Sequence, residues 1–471
     1  MTPVETLRGQ SVALFGLGGS GLSTARALVA GGAEVAAWDD SLAARERAAA
    51  AGVALVNLAQ TNWRSFRAFV LAPGVPLTHP KPHWTVDLAD EAGVPIIGDI
   101  ELFVRERGVR APDAPFVAIT GTNGKSTTTA LIAHVLKEAG REVAMGGNIG
   151  VPILDLPPPA AGRIHVVECS SYQIDLAPSL APSVGLLINI TPDHLDRHGD
   201  LARYAAIKQR LVANADAALV GVDDDPCREI YARLKARAGA QRVIAVSGKE
   251  SPLADVWVGE HRVMARGEAA PAADLARARA LRGAHNGQNA AFAYAATRAL
   301  GVERDRIARA FETFPGLAHR MEEVGRFGRV LFINDSKATN ADAAEKALLT
   351  FHDIHWILGG RPKAGGVEPL RPLFPRVAKA YLIGEATDEF ARTLAGAVPF
   401  ERYRSLSAAT EAAAGEAAQS PAREPAVLLS PACASFDQFA NFEARGDAFR
   451  ACVAKWLEAR AGAGVRAQKG G

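Results

Sequence analysis

The sequence predicts an α/β protein of three domains, each built on a mostly parallel sheet flanked by helices. Two observations carry this expectation. Short runs rich in Val, Ile and Leu alternate with Ala-rich helical stretches along almost the whole chain, as strand–helix–strand crossovers require. The 471 residues are also too many for one such sheet, at roughly 150 residues per domain.

The buried strands are expected at Ser11–Phe15, Phe116–Ile119, His165–Val167, Val184–Ile190, Val330–Ile333, Trp356–Leu358, Tyr381–Ile383 and Val427–Leu429. Between them two stretches break the pattern. Arg105 to Pro115 mixes charge, Gly and Pro ahead of a new strand, and Thr313 to His319 carries Pro315 and Gly316. The domains are therefore placed at 1–107, 108–316 and 317–471. The Ala-rich run Ala408 to Ala418 reads as helix surface, and the last ten residues, with four glycines, are expected to fray.

Charge excludes some partners. Fifty-three Lys and Arg against 51 Asp and Glu leave +2, with no basic footprint for nucleic acid and no polybasic block for a membrane surface. The four cysteines are scattered without a Cys-x-x-Cys pair, which points to a reducing compartment. Met1 to Gln10 shows no signal-peptide pattern, and no run of 18 apolar residues could span a bilayer. The expectation is a monomeric cytoplasmic protein that handles small molecules at local sites.

Two glycine-rich loops follow strands. Gly16-Leu17-Gly18-Gly19-Ser20-Gly21 fits Gly-x-Gly-x-x-Gly, with Asp39 ending the next strand where an acid would meet a ribose, so the first domain reads as Rossmann-like. A tight turn without a ligand is the alternative. Thr120-Gly121-Thr122-Asn123-Gly124-Lys125-Ser126-Thr127 follows the strand at 116–119 and opens a helix. Its backbone amides can cradle phosphates, Lys125 can reach the outer ones, and the Ser126 hydroxyl can bind Mg²⁺. The strict pattern would put Gly where Ile119 stands, so this is a Gly-Lys-Ser loop with a shortened lead-in, and the central domain reads as P-loop ATPase-like. One ATP and one nucleotide-bearing substrate would use both loops.

Chemistry-bearing residues cluster at further strand ends. Glu168 closes its strand as a Mg²⁺-binding acid would, and Asp193-His194-Leu195-Asp196 follows the strand at 184–190, with Lys208 in the next helix. Asn286 and Asn289 lie three apart, with the donor and acceptor a nucleobase edge needs, although Asn286 could equally be a helix cap. In the last domain, 334–340, 359–363 and 430–439 bring Lys, Thr, Lys and Ser to the crevice where open sheets bind ligands, and these cations suit a small anion.

Gly-Thr-Asn-Gly-Lys-Ser-Thr at 121–127, Gly-Gly-Asn-Ile-Gly at 146–150, Glu-Cys-Ser-Ser-Tyr-Gln at 168–173 and Asp-His-Leu-Asp-Arg at 193–197 stand in one order with Asn-Asp-Ser-Lys-Ala-Thr-Asn at 334–340 and Leu-Ser-Pro-Ala-Cys-Ala-Ser at 429–435. Together they resemble the Mur ligases of peptidoglycan synthesis, and the last two stretches resemble the branch that adds D-glutamate. The resemblance implies an ATP-dependent amide ligase that joins D-glutamate to UDP-N-acetylmuramoyl-L-alanine through an acyl phosphate, with a Rossmann-like C-terminal domain. It implies ATP contacts from Gly121, Thr122, Asn123, Gly124, Lys125, Ser126 and Thr127, adenine contacts from Asn286 and Asn289, and a ribose contact from Asp335. Lys125 and Arg320 would stabilise the γ-phosphate. Two Mg²⁺ ions are implied, one on Ser126 and Glu168, the other on His194 and a carbamylated Lys208. Gly19, Ser20, Asp39, Gly74, Asn148 and His194 would meet the UDP-substrate, and Lys337, Thr339, Lys363, Ser435 and Phe442 the D-glutamate. Two stretches depart from the family pattern: Asp40-Ser41 after Asp39, and Gly-Gly-Arg-Pro-Lys at 359–363. The competing functions are a nicotinamide-dependent dehydrogenase using the first loop, a folylpolyglutamate synthase-like ligase, and a nucleotide-gated binding module without turnover.

Overall fold

The computed structural model describes residues 1–468 except 238, 240 and 364, with side chains through 460. Three sheets organise it. The first holds β1 (Ser11–Phe15), β2 (Glu34–Trp38), β3 (Ala68–Leu71) and β4 (Ile96–Ile97) in the order β2-β1-β3-β4, all parallel. The second holds β5 (Phe116–Thr120), β6 (Glu142–Gly147), β7 (Arg163–Glu168), β8 (Val184–Leu187), β9 (Ala217–Gly221), β10 (Arg242–Val246), β11 (Val256–Gly259), β12 (Arg262–Ala265) and β13 (Ala273–Asp274). Its order is β13-β12-β11-β10-β9-β8-β5-β7-β6, parallel from β11 to β6 with an antiparallel extension through β12 and β13. The third holds β14 (Glu322–Phe327), β15 (Val330–Asn334), β16 (Ile354–Gly359), β17 (Val377–Ile383), β18 (Phe400–Arg402) and β19 (Ala426–Leu429), ordered β14-β15-β19-β16-β17-β18 with only β14 antiparallel.

All eight expected strands are present, because a parallel strand covered on both faces reads as an unbroken apolar run; every residue of β5, β15 and β16 is buried. β3, β9 and β10 are buried runs of the same kind that the expectation omits, whereas other omitted strands lack such a run. β2 carries Glu34 and small alanines at a sheet edge, and the β11–β12 hairpin turns through Glu260 and His261, both at positive φ, without the Asn-Gly that marks such turns. β8 ends at Leu187, short of Ile190, because the chain there turns its polar groups toward the loop after β5.

The described chain divides into two compact units, 1–278 with 286–313, and 279–285 with 314–471. The first unit contains two of the sheets on one continuous apolar core, in which Leu14, Phe103, Phe116 and Ile174 are all fully buried. Position 107 lies inside the helix Asp99–Arg110, and Phe103 of that helix packs on Phe116 and His165 at 5.4 and 4.9 Å. The charges that mark Arg105 to Pro115 in the sequence are therefore helix surface in part: Arg105 pairs with Glu101 and Arg110 with Glu106, one helical turn away. The second unit holds the third sheet and ends in a helix, Phe442–Gln468; residues 469–471 lie outside the described residues. No helix among the described residues is long and apolar enough to cross a membrane. The four cysteines are unpaired, and three of them are buried.

Candidate functional site

The loop after β5 is built to face an anion. Gly124 caps the helix Lys125–Glu138 at φ +82, where an added Cβ would also lie 2.3 Å from the Asn289 Oδ1, so position 124 excludes a side chain twice over. The helix N-terminus and the loop amides supply fixed positive potential. Lys125 Nζ donates to the carbonyls of Gly121 and Thr122, both at 2.9 Å, and so lies folded over the loop. Lys208, distant in sequence, donates to the same Gly121 carbonyl at 2.9 Å and to Thr120 Oγ1 at 3.1 Å. Burial, and then the charge of Lys125, lower the Lys208 ammonium to about 7.

Glu168 ends β7 beside this loop, buried, with Oε1 accepting from Asn148 Nδ2 at 2.8 Å. Its Oε2 is buried and has no hydrogen-bond partner, an arrangement that costs free energy unless a cation completes it. With the Ser126 hydroxyl, the residues fit a hard divalent ion. His194 sits at φ +53 ahead of the short helix Leu195–His198, half-exposed, its Nε2 3.4 Å from the Asp193 carboxylate and its ring tilted on Tyr172. Asn286 and Asn289 are joined directly: Asn289 Nδ2 donates to Asn286 Oδ1 at 3.0 Å, and Thr128 Oγ1 donates to Asn289 Oδ1. Their helix, Ala284–Ala299, starts before Asn286, which is therefore inside it rather than its cap.

The first glycine loop packs tightly: a Cβ at Gly21 would lie 1.8 Å from the Gly16 carbonyl oxygen. Asp39 is pinned to it, accepting from the Leu17 amide at 2.6 Å and the Ser41 amide at 2.8 Å. Gly19 and Ser20 open the helix Gly19–Gly31 above it. The carbonyl of Gly74 accepts from Arg197, which tethers the 72–75 turn to the segment that carries His194. Asp40 bonds His83 Nε2 at 3.1 Å.

In the second unit Asp335 accepts from the Ser430 hydroxyl and the Met321 amide; burial pushes its carboxyl up to about 7 despite these bonds and the charges of Arg320 and Lys346. Lys337 Nζ lies 4.2 Å from the centre of the Phe442 ring. The Thr339 amide donates to the Lys337 carbonyl, and Ser435 is buried at the turn whose carbonyl receives the Gln438 and Phe439 amides. Lys363 is exposed, on a loop whose Arg361 exchanges backbone bonds with Ala434.

Arg445 went unnoticed in the sequence. Buried in the last helix, it donates to the Ser336 hydroxyl and carbonyl at 3.0 and 2.8 Å and to the Cys433 carbonyl at 3.1 Å, clamping the 334–340 and 430–435 loops together. Burial lowers its guanidinium to about 10. Arg445→Met leaves two carbonyls without this donor, and a loss of about 2–5 kcal/mol is expected in urea unfolding; parental stability would show that the clamp contributes nothing.

The Mur ligase middle-domain model matches residues 119–297, and the Mur ligase glutamate-ligase-domain model matches 319–433. A UDP-N-acetylmuramoylalanine–D-glutamate ligase of Brucella abortus is 59% identical over 457 residues, 96% of this chain and 97% of the relative. One of Rhizobium etli is 59% identical over 456 residues, with the same coverage. The chain belongs to the Mur ligase family. Among solved structures, UDP-N-acetylmuramate–alanine ligase MurC from Thermotoga maritima shares the fold at 17% identity and a TM-score of 0.58, covering 95% of this chain and 99% of its own. MurF from Acinetobacter baumannii does so at 19% and 0.56, covering 76% and 79%. This Mur ligase thus has the α/β fold, with sheets flanked by helices, that its strand pattern predicts. It also has a fastening of the loop at 121–127 that the strand pattern hides: Asn189, whose carbonyl and side chain both bind that loop, sits in what reads as an apolar run.

Proposed function

We propose that this Mur ligase joins D-glutamate to UDP-N-acetylmuramoyl-L-alanine at the expense of ATP, in peptidoglycan precursor synthesis. The observation that carries the ATP-dependent half is the convergence of Lys125, Lys208 and the buried, half-satisfied Glu168 on the loop at 121–127. The relatives' printed names support the substrates. A carboxylate is a poor acyl donor in water until one oxygen becomes a leaving group. The alanyl carboxylate therefore attacks the γ-phosphorus with departure of ADP, and the amine of D-glutamate then displaces phosphate from the acyl phosphate. The chain's task is charge neutralisation and positioning.

In this reading Lys125 and Arg320 neutralise the γ-phosphate, residues 121–127 hold the phosphates, Asn286 and Asn289 meet adenine, and Asp335 the ribose. Mg²⁺, when bound, neutralises phosphate charge; Ser126 and Glu168 would hold one ion, and His194 with Lys208 a second. A lysine lowered to about 7 presents the neutral amine that carbamylation consumes, and the product is an anionic oxygen ligand. Gly19, Ser20, Asp39, Gly74, Asn148 and His194 serve the UDP-substrate, and Lys337, Thr339, Lys363, Ser435 and Phe442 the D-glutamate. The reading keeps three functional segments, 1–107, 108–316 and 317–471, in a cytoplasmic monomer.

The test is phosphate release from ATP with UDP-N-acetylmuramoyl-L-alanine and, separately, D-glutamate, L-glutamate and diaminopimelate. Release with D-glutamate alone is expected. Release with another amino acid overturns the substrate, and NADH-linked absorbance change without phosphate release would restore the dehydrogenase.

A further inference from the structure

A chain of hydrogen bonds, exposed at its start and half-buried beyond, runs from the loop at 121–127 across the first unit. The Thr122 amide donates to the Asn189 carbonyl at 2.9 Å, and the Asn123 amide to Asn189 Oδ1 at 2.8 Å. Asn189 Nδ2 donates to Gln288 Oε1 at 3.0 Å, and Gln288 Nε2 donates to Asp223 Oδ2 at 2.7 Å. Asp223 also receives the Gly248 amide at 2.7 Å and the Ser247 hydroxyl at 2.6 Å. The polarity has one solution. An ionised carboxylate only accepts, so Asp223 must face the amide nitrogen of Gln288. The Gln288 oxygen then faces Asn189, which must present its own nitrogen there and its oxygen to the Asn123 amide. Either side-chain amide, flipped alone, would set like atoms against each other.

We propose that Asn189 is a positioning residue that sets the conformation of the phosphate loop, and that Gln288 and Asp223 act through it by fixing which way its amide points. Along this chain of bonds Gln288 reaches the loop through Asn189, and Asp223 through Gln288. The inference rests on the reading of 121–127 as an ATP site, and it adds three residues which that reading does not use. The fixed amide matters because its oxygen holds the Asn123 N–H next to the Thr122 N–H held by the Asn189 main-chain carbonyl, leaving the loop pre-organised for its ligand.

The experiment uses the full chain with Asn189→Ala, Gln288→Ala and the double variant. In the ATP-free protein, hydrogen exchange at the Asn123 amide should rise about tenfold in Asn189→Ala and by a smaller factor in Gln288→Ala, while the Thr122 amide, bonded to the retained main-chain carbonyl of residue 189, serves as the internal reference. The double variant should exchange no faster than Asn189→Ala, because in the relay Gln288 acts on the loop through Asn189. KM for ATP should rise in the same order, with KM for D-glutamate unmoved. Additive effects in the double variant, or exchange at 123 unchanged in Asn189→Ala, would overturn the relay. Asp223→Leu gives a second arm if the alanine variants fold poorly: it offers Gln288 no acceptor, so faster Asn123 exchange at parental thermal stability supports the relay and unaltered exchange refutes it. If the parent protein releases no phosphate from ATP, the functional reading fails while the exchange result still judges the relay.

Discussion

Lys125→Ala is expected to lower phosphate-releasing turnover by about 10³-fold or more, because it removes the half-buried cation that folds over the loop at 121–127 from the helix it opens. The two carbonyls that Lys125 now occupies belong to Gly121 and Thr122, so in the absence of nucleotide the ammonium is held at the loop by backbone oxygens that it can exchange for phosphate oxygens. Alanine keeps the helix start, which depends on Gly124 and not on the lysine. The secondary structure should survive, and circular dichroism checks it. A second consequence follows from electrostatics. The Lys125 charge is the second cause, after burial, of the low Lys208 value, so its removal should let the Lys208 amine titrate higher. Retained turnover in Lys125→Ala would refute the loop's role in catalysis.

Lys208→Met is the second variant with a large expected effect: turnover should fall by about 10²–10³-fold, through loss of the amine proposed for carbamylation. The same variant has a signature in stability. The folded-state value near 7 lies below the ordinary 10.5, so between these limits the unfolded chain binds more protons than the folded one. Stability contributed at this position therefore rises with pH from about 7 to 10.5, and below 7 the folded state bears the full cost of burying an ammonium. Denaturation of parent and variant in CO₂-free buffer should show the Met variant's relative advantage shrinking as pH rises through that window. A difference independent of pH would show that the buried ammonium is not what destabilises the site.

Much of this molecule is legible before folding. Ser11–Phe15 matches β1 residue for residue, and the loop at 121–127 stands between β5 and a helix, as Gly-Lys-Ser predicts. Both are local statements: an apolar run long enough for one strand, and a glycine placed where a side chain is excluded. The family membership, too, rests on ordered local motifs. Asn189, Gln288, Tyr204 and Arg445 were not legible, because each acts at a distance along the chain. Tyr204 meets Thr122 across 82 residues, Gln288 meets Asn189 across 99, and Arg445 meets Ser336 across 109. A buried arginine in a helix reads as surface until the loops it clamps are seen. That position 107 stands inside a helix, which through Phe103 packs on Phe116, was likewise not legible from the charges around it.

What the sequence determined by itself is the inventory: three sets of apolar strands, two glycine loops that need their glycines, and a set of acids, amides and cations at strand ends. What only the tertiary structure decided is which of these share an atom. Lys125 and Lys208 meet at one carbonyl, Glu168 keeps one oxygen unpartnered, and the amide of Asn189 is given its direction by a carboxylate two residues further along a hydrogen-bond chain. The physical reason is that strand and turn formation depend on a few neighbouring residues, whereas desolvation and hydrogen-bond polarity depend on whatever the fold packs alongside. Burial converts an ordinary lysine into one that titrates near neutrality.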